Sequence, residues 1–187
     1  MQVIKTKIRD VLILDPNRFY DERGFFSESW NQKAFSKVGL NIDFVQDNHS
    51  FSTKLGTLRG LHFQYPPAAQ AKLVRCGRGE FLDVIVDIRK GSPTFGCWLS
   101  EILSFKNGRQ LFVPEGFLHG FVTLTDETEI IYKCSNFYTP ELEGFVAFND
   151  PDININWGFP EKAISLSSKD SDSVLLKDIE SPFCFEV

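Results

Sequence analysis

Between Arg59 and Lys72 the chain gathers the residue types that proton-transfer chemistry needs. The run reads Arg59-Gly60-Leu61-His62-Phe63-Gln64-Tyr65-Pro66-Pro67-Ala68-Ala69-Gln70-Ala71-Lys72, with two cations, one imidazole, two carboxamides and a Pro-Pro break. An imidazole of ordinary pKa, about 6.5, gains and loses protons near neutrality. An ammonium beside it would steady a developing oxyanion. Gly56-Thr57-Leu58 before the run and Leu73-Val74-Arg75 after it read as strands. The imidazole therefore sits on one strand and the lysine opens the next, across a stiff turn that can hold both groups in fixed relation.

Two further positions deserve chemical scrutiny. In Glu129-Ile130-Ile131-Tyr132-Lys133-Cys134, a period of two puts Ile130, Tyr132 and Cys134 on one strand face. Tyr132 on this pattern is a core tyrosine as readily as a proton donor. Asp170 closes Ser167-x-x-Asp170, which has the form of a helix capping box. His49 reads as structural or supporting.

The elements that must position these groups are mostly strands. Residues 3–14 alternate weakly, then run apolar through Val11-Leu12-Ile13-Leu14, and predict a strand. Asp15-Pro16-Asn17 turns the chain, and on spacing alone 19–30 is an acidic–basic turn with an aromatic strand. Asn31–Val38 predicts a helix with Asn31 as N-cap and Gly39 as its stop. Phe44–Phe51 is strand-like but heavily polar, so its amides and acids need partners. Leu82, Val84, Val86 and Ile88 alternate with Asp83, Ile85, Asp87 and Arg89, the pattern of a half-buried strand. Short strands then recur at 98–105, 111–113, 121–124 and 129–135 between Gly, Pro, Asn and Asp, which predicts a sandwich or barrel.

Bulk composition narrows the classes. A chain of 187 residues, 42% hydrophobic and 24% charged, fits one globular domain. The expected layout is N-terminal strands and a helix over 1–50, a barrel core over 51–140, and an irregular, helical segment over 141–187. Nineteen phenylalanines against one methionine favour sheet-on-sheet packing. A net charge of −5 without a basic block argues against nonspecific nucleic-acid binding. No run approaches the ~20 apolar residues of a membrane helix, and Met1–Lys7 is no signal peptide. Four cysteines without C-x-x-C spacing read as reduced, mostly buried thiols. The expectation is a soluble, cytoplasmic protein without nucleic-acid or membrane partners.

Pro114-Glu115-Gly116-Phe117-Leu118-His119 resembles the second motif of the cupin jelly-roll barrels. Metal-binding cupins carry His-x-His in their first motif, whereas this chain has His62-Phe63-Gln64. One imidazole fewer leaves too few ligands for a divalent first-row metal, so the expectation is a metal-free cupin. The ordered set is more specific. It comprises Asp21–Glu28, Phe44–Ser50, Arg59–Gln64, Gln70–Arg75, Asp83–Arg89, Gly91–Gly96, Pro114–Phe121 and Tyr132–Ser135. Over nearly its whole length the chain resembles the dTDP-4-dehydrorhamnose 3,5-epimerase family.

That resemblance implies an all-β double-stranded β-helix with short peripheral helices, without metal or cofactor, acting on a nucleotide-diphosphate sugar and assembling as a homodimer. It implies His62 as the base, Asp170 as its orienting carboxylate, Tyr132 as the acid on the opposite sugar face and Lys72 beside the enolate oxygen. It further implies ligand contacts from Arg23, Phe26, Glu28, Gln46, Asn48, Arg59, His119, Tyr138 and Glu143. Strict alternation would put Arg59 and His62 on opposite faces of their strand. A bulge or bend near Gly60 is therefore required if both serve one site.

Overall fold

The computed structural model describes residues 1–171 and 173–186. Two antiparallel sheets face each other. The first runs in the order β1 (Gln2–Lys5), β2 (Leu12–Asp15), β10 (Gln110–Val113), β7 (Lys72–Arg78), β12 (Thr128–Cys134), β5 (Gln46–Ser52). The second runs β13 (Glu143–Phe145), β6 (Leu58–Gln64), β11 (Phe117–Thr123), β8 (Glu80–Asp87), β9 (Trp98–Ser104). A separate hairpin pairs β3 (Phe19–Asp21) with β4 (Gly24–Phe26). This is the expected jelly-roll sandwich.

Three apolar layers follow from the strand periods. Between the sheets lie Ile13, Val74, Phe81, Ile85, Leu103, Leu111, Phe117, Phe121 and Ile130. Outside the second sheet, Val84, Val86, Leu118 and Val122 pack under Val146, Ile153, Trp157 and Leu176. Outside the first, Leu14, Leu73 and Phe112 pack under Phe35 of the helix α1 (Gln32–Ser36).

Three expectations about local structure need refinement. Residues 3–14 form two paired strands and not one, because Thr6 turns the chain: its hydroxyl donates to Ile8 O at 2.8 Å and accepts from the Ile8 amide. The α1 helix is shorter than expected at its far end. Asn31 caps it, its Oδ1 accepting from the Ala34 amide at 3.2 Å, and Gly39 follows at φ +90°. The strand over 82–89 is buried on both faces and not half-buried. Asp83 and Asp87 are fully enclosed, because their face, shared with Ile85, turns in between the sheets, while the chain from Val146 to Leu176 covers the Val84–Val86 face.

Candidate active site

The two sheets open at one end into a cavity of about 340 Å³. That is enough space for a sugar. The first sheet supplies one wall. On β12, Tyr132 pairs with Asn48 of β5 and with Val74 of β7, while Cys134 pairs with Gln46 and Lys72. A period of two then places Gln46, Asn48 and Ser50 on the cavity face beside Lys72 and Tyr132.

The second sheet supplies the facing wall. His62 of β6 lies directly across the ladder from His119 of β11, but the next pair is Arg59 with Phe121. Three residues of β6 thus span two of β11, which is the extra residue of a bulge. It turns both Arg59 and His62 onto the cavity. Gly60 occupies the bulge at φ +116°, and a Cβ there would fall 2.5 Å from Gly120 Cα and 2.7 Å from His119 O. No other residue type fits without moving the neighbouring strand.

Each imidazole is tied to a carboxylate. His62 Nε2 lies 2.6 Å from Asp170 Oδ1, and His119 Nε2 lies 2.6 Å from Asp83 Oδ1. Asp170 sits on α2 (Ser168–Ser171) and is 4% exposed. Its Oδ1 also accepts from the Gly60 amide at 3.2 Å and its Oδ2 from Ser167 Oγ at 2.6 Å, while Ser167 Oγ accepts from the Asp170 amide. The capping arrangement and the contact to His62 therefore coexist in one side chain. Burial alone would raise the Asp170 pKa, but the bonds from His62, Ser167 and Gly60 outweigh it and hold it below the ordinary carboxylate value. An ionised Asp170 accepting from Nε2–H leaves the lone pair on His62 Nδ1, which lies 3.6 Å from Glu143 Oε1.

The opposite wall is electrically different. Burial pushes the Tyr132 phenol up, reinforced by Cys134 and opposed by Arg59 and Asn48. It stays protonated. Burial likewise lowers the Lys72 ammonium against the pull of Cys134, Glu143 and Asp83. Glu143 Oε2 accepts from Tyr138 OH at 2.6 Å and from Lys169 Nζ, closing the rim.

The structure thus gathers His62, Lys72, Tyr132, Gln46, Asn48, Arg59, His119, Tyr138 and Glu143 on one cavity, with Asp170 directly behind His62. It does not bring Arg23, Phe26 and Glu28 to this chain's own cavity lining. Arg23 is bonded to Asp21, Phe26 is 67% exposed, and Glu28 accepts from Asn31. Sequence reasoning missed Asp83 and Lys169 as partners of the site. Asp83 was signalled only by an acid in a strand whose two faces are both covered, and Lys169 only by its place beside Asp170. Among the described residues, no three His, Cys, Asp or Glu side chains converge to hold a metal.

The profile of the dTDP-4-dehydrorhamnose 3,5-epimerase family matches residues 5–178. The chain is 58% identical to the dTDP-4-dehydrorhamnose 3,5-epimerase of Shigella flexneri, over 91% of this chain and 93% of that one. It is 56% identical to that of Salmonella typhimurium, over 94% and 96%. Among solved structures, the dTDP-6-deoxy-D-glucose-3,5-epimerase of Legionella pneumophila, in complex with dTDP-4-keto-L-rhamnose, superposes with a TM-score of 0.94. It is 42% identical and covers 100% of this chain and 99% of its own. The chain belongs to the dTDP-4-dehydrorhamnose 3,5-epimerase family.

Proposed function

We propose that this isomerase inverts carbons 3 and 5 of dTDP-4-dehydro-6-deoxy-D-glucose, giving dTDP-4-dehydro-L-rhamnose, through the residues that line its cavity. Both carbons flank the ketone at carbon 4, so each C–H is acidic. His62 Nδ1 takes the proton, and the C–H electron pair moves into the ring while the ketone becomes an enolate. Asp170 holds the resulting imidazolium. The ammonium of Lys72, with His119 beside it, stabilises the enolate oxygen. The Tyr132 phenol returns a proton to the opposite face, the enolate collapses to ketone, and the carbon is inverted. His62 then releases its proton to water and Tyr132 takes one from water, which resets the pair for the second carbon; one proton leaves the sugar and one arrives, so no net oxidation occurs and no cofactor is called for.

One observation carries this reading: a carboxylate-held imidazole on one sheet faces a protonated phenol on the other, with an ammonium beside the phenol on the same wall. Arg59 at the mouth suits the diphosphate, since a guanidinium fork matches phosphate oxygens. We assign Arg23, Phe26 and Glu28 to the site of a second copy in a homodimer. Support comes from the β3–β4 hairpin, which among the described residues pairs only with itself and presents Phe19, Tyr20 and Phe26 to solvent. The four free thiols support a reducing, cytoplasmic setting.

The test is turnover of dTDP-4-dehydro-6-deoxy-D-glucose in deuterated water, followed by NMR. Deuterium at both carbons is expected. Label at carbon 3 alone would make the protein a mono-epimerase, and binding without label would make it a non-catalytic sugar-nucleotide cupin.

A further inference from the structure

The chemistry above leaves Gln64 unused. It stands on β6 two residues past His62, is 5% exposed, and occupies the position where metal-binding cupins carry a second imidazole. Its hydrogen-bonding groups are committed elsewhere. Nε2 donates to Ala68 O and, at 3.1 Å, to Phe137 O, while Oε1 accepts from the Thr139 amide at 2.8 Å. Both N–H bonds are spent on backbone, so this side chain has no donor left for a sugar.

Two other carboxamides grip the same segment. Gln70 Nε2 donates to Asn136 O at 2.8 Å, and Gln46 Oε1 accepts from the Tyr138 amide at 2.9 Å. Residues 136–139 lie outside every strand and helix. Their backbone groups would otherwise lack the ladder partners that hold a strand in place. The segment carries Tyr138, whose ring stands at the cavity rim and whose OH donates to Glu143. Tyr138 is thus held at its backbone by amides and at its tip by a carboxylate.

We propose that Gln64 is a positioning residue for the nucleotide part of the ligand: through the backbone of 136–139 it sets the Tyr138 ring where it covers the nucleobase. This rests on the nucleotide-sugar reading given above. Gln64 acts through Tyr138 and not on the reacting carbons, so its loss weakens binding more than it slows proton transfer.

The experiment is a double-mutant cycle read by calorimetry with dTDP. Gln64→Leu, similar in volume, is expected to weaken dTDP affinity about tenfold or more, since it strands two backbone carbonyls and an amide. It should raise KM more than it lowers kcat, and speed hydrogen exchange at the Tyr138 and Thr139 amides. In a Tyr138→Ala background the same substitution should change affinity less than about twofold. Should Gln64→Leu fold poorly, Gln70→Ala removes one clamp from the less buried side and is expected to act in the same direction with a smaller effect. Undiminished dTDP affinity, unchanged exchange at Thr139, or an equal loss in the Tyr138→Ala background overturns the proposal while leaving the epimerase intact. A wild-type protein that does not bind dTDP overturns the nucleotide-sugar reading, and the proposal with it.

Discussion

Two side chains on opposite walls divide the proton traffic, and their surroundings set which form each takes. Asp170, kept anionic by its three donors, fixes the tautomer of His62 so that Nδ1 is the basic atom. Tyr132, pushed up by burial, keeps its proton through the neutral range and is a donor only. Tyr132→Phe should therefore separate the two half-reactions. Deuterium should still enter the position deprotonated by His62, while inversion falls about 10²–10⁴-fold; equal loss of exchange and inversion would contradict the assignment. Lys72 is the third party. Its depressed pKa means that it loses its proton at lower pH than an ordinary lysine, near 10.4. The kcat profile should therefore fall on the alkaline side before that value. In Lys72→Met the limb should vanish and kcat should drop about 10²–10³-fold, the usual effect of deleting one oxyanion stabiliser.

At the scale of the strand, one extra residue in β6 decides whether a guanidinium and an imidazole can share a cavity. Alternation would send Arg59 away from His62, and the bulge reverses it. Gly60 permits the bulge because β11 runs so close that a Cβ would meet the backbone of His119 and Gly120. Gly60→Ala should destabilise the fold by about 1–3 kcal/mol, given the positive φ and the contact. In the fraction that folds, ligand affinity should fall because Arg59 and His62 are displaced together. Thermal denaturation and dTDP titration check the two effects separately, and an unchanged affinity would mean that the bulge does not govern the site.

Over the whole molecule, buried acids tie the layers together. Asp87 accepts from Arg89 through both carboxylate oxygens and from Ser92 and Thr94, and Arg89 reaches Asp10 in the N-terminal turn while lying over Phe117 and Phe185. Burial alone would raise Asp87, but these bonds outweigh it and depress its pKa, as happens at Asp170. A carboxylate whose folded pKa is depressed stabilises the fold above its unfolded value, about 3.9, and that contribution is lost as pH falls through the folded value. Urea midpoints should therefore be insensitive to these groups above about pH 5. They should drop steeply below about pH 4, with a shallower slope in Asp87→Asn. Assembly is tested at the same scale. If the hairpin of one copy completes the cavity of the other, mixed Arg23→Ala and His62→Ala chains should regain activity, since one site of the heterodimer then has both residues. Activity no higher than either variant alone would place Arg23 in its own chain's site or in none.

The amino-acid order by itself determined most of the strands, the helix cap at Asn31 and the turn before His119, because these depend on neighbours a few positions apart. It also pointed to His62 and Lys72 as chemistry on consecutive strands, which folding then set in facing sheets, whereas the irregularity at Gly60 came from the family resemblance, which requires Arg59 and His62 at one site. Tertiary structure alone decided the rest. Asp83 lies far in sequence from His119 and Asp170 far from His62, and only folding puts them within hydrogen-bond reach. Covering β8 on its second face needed a segment more than fifty positions away. Spacing reports which face a residue occupies; what stands opposite that face is set by the packing of one sheet on another.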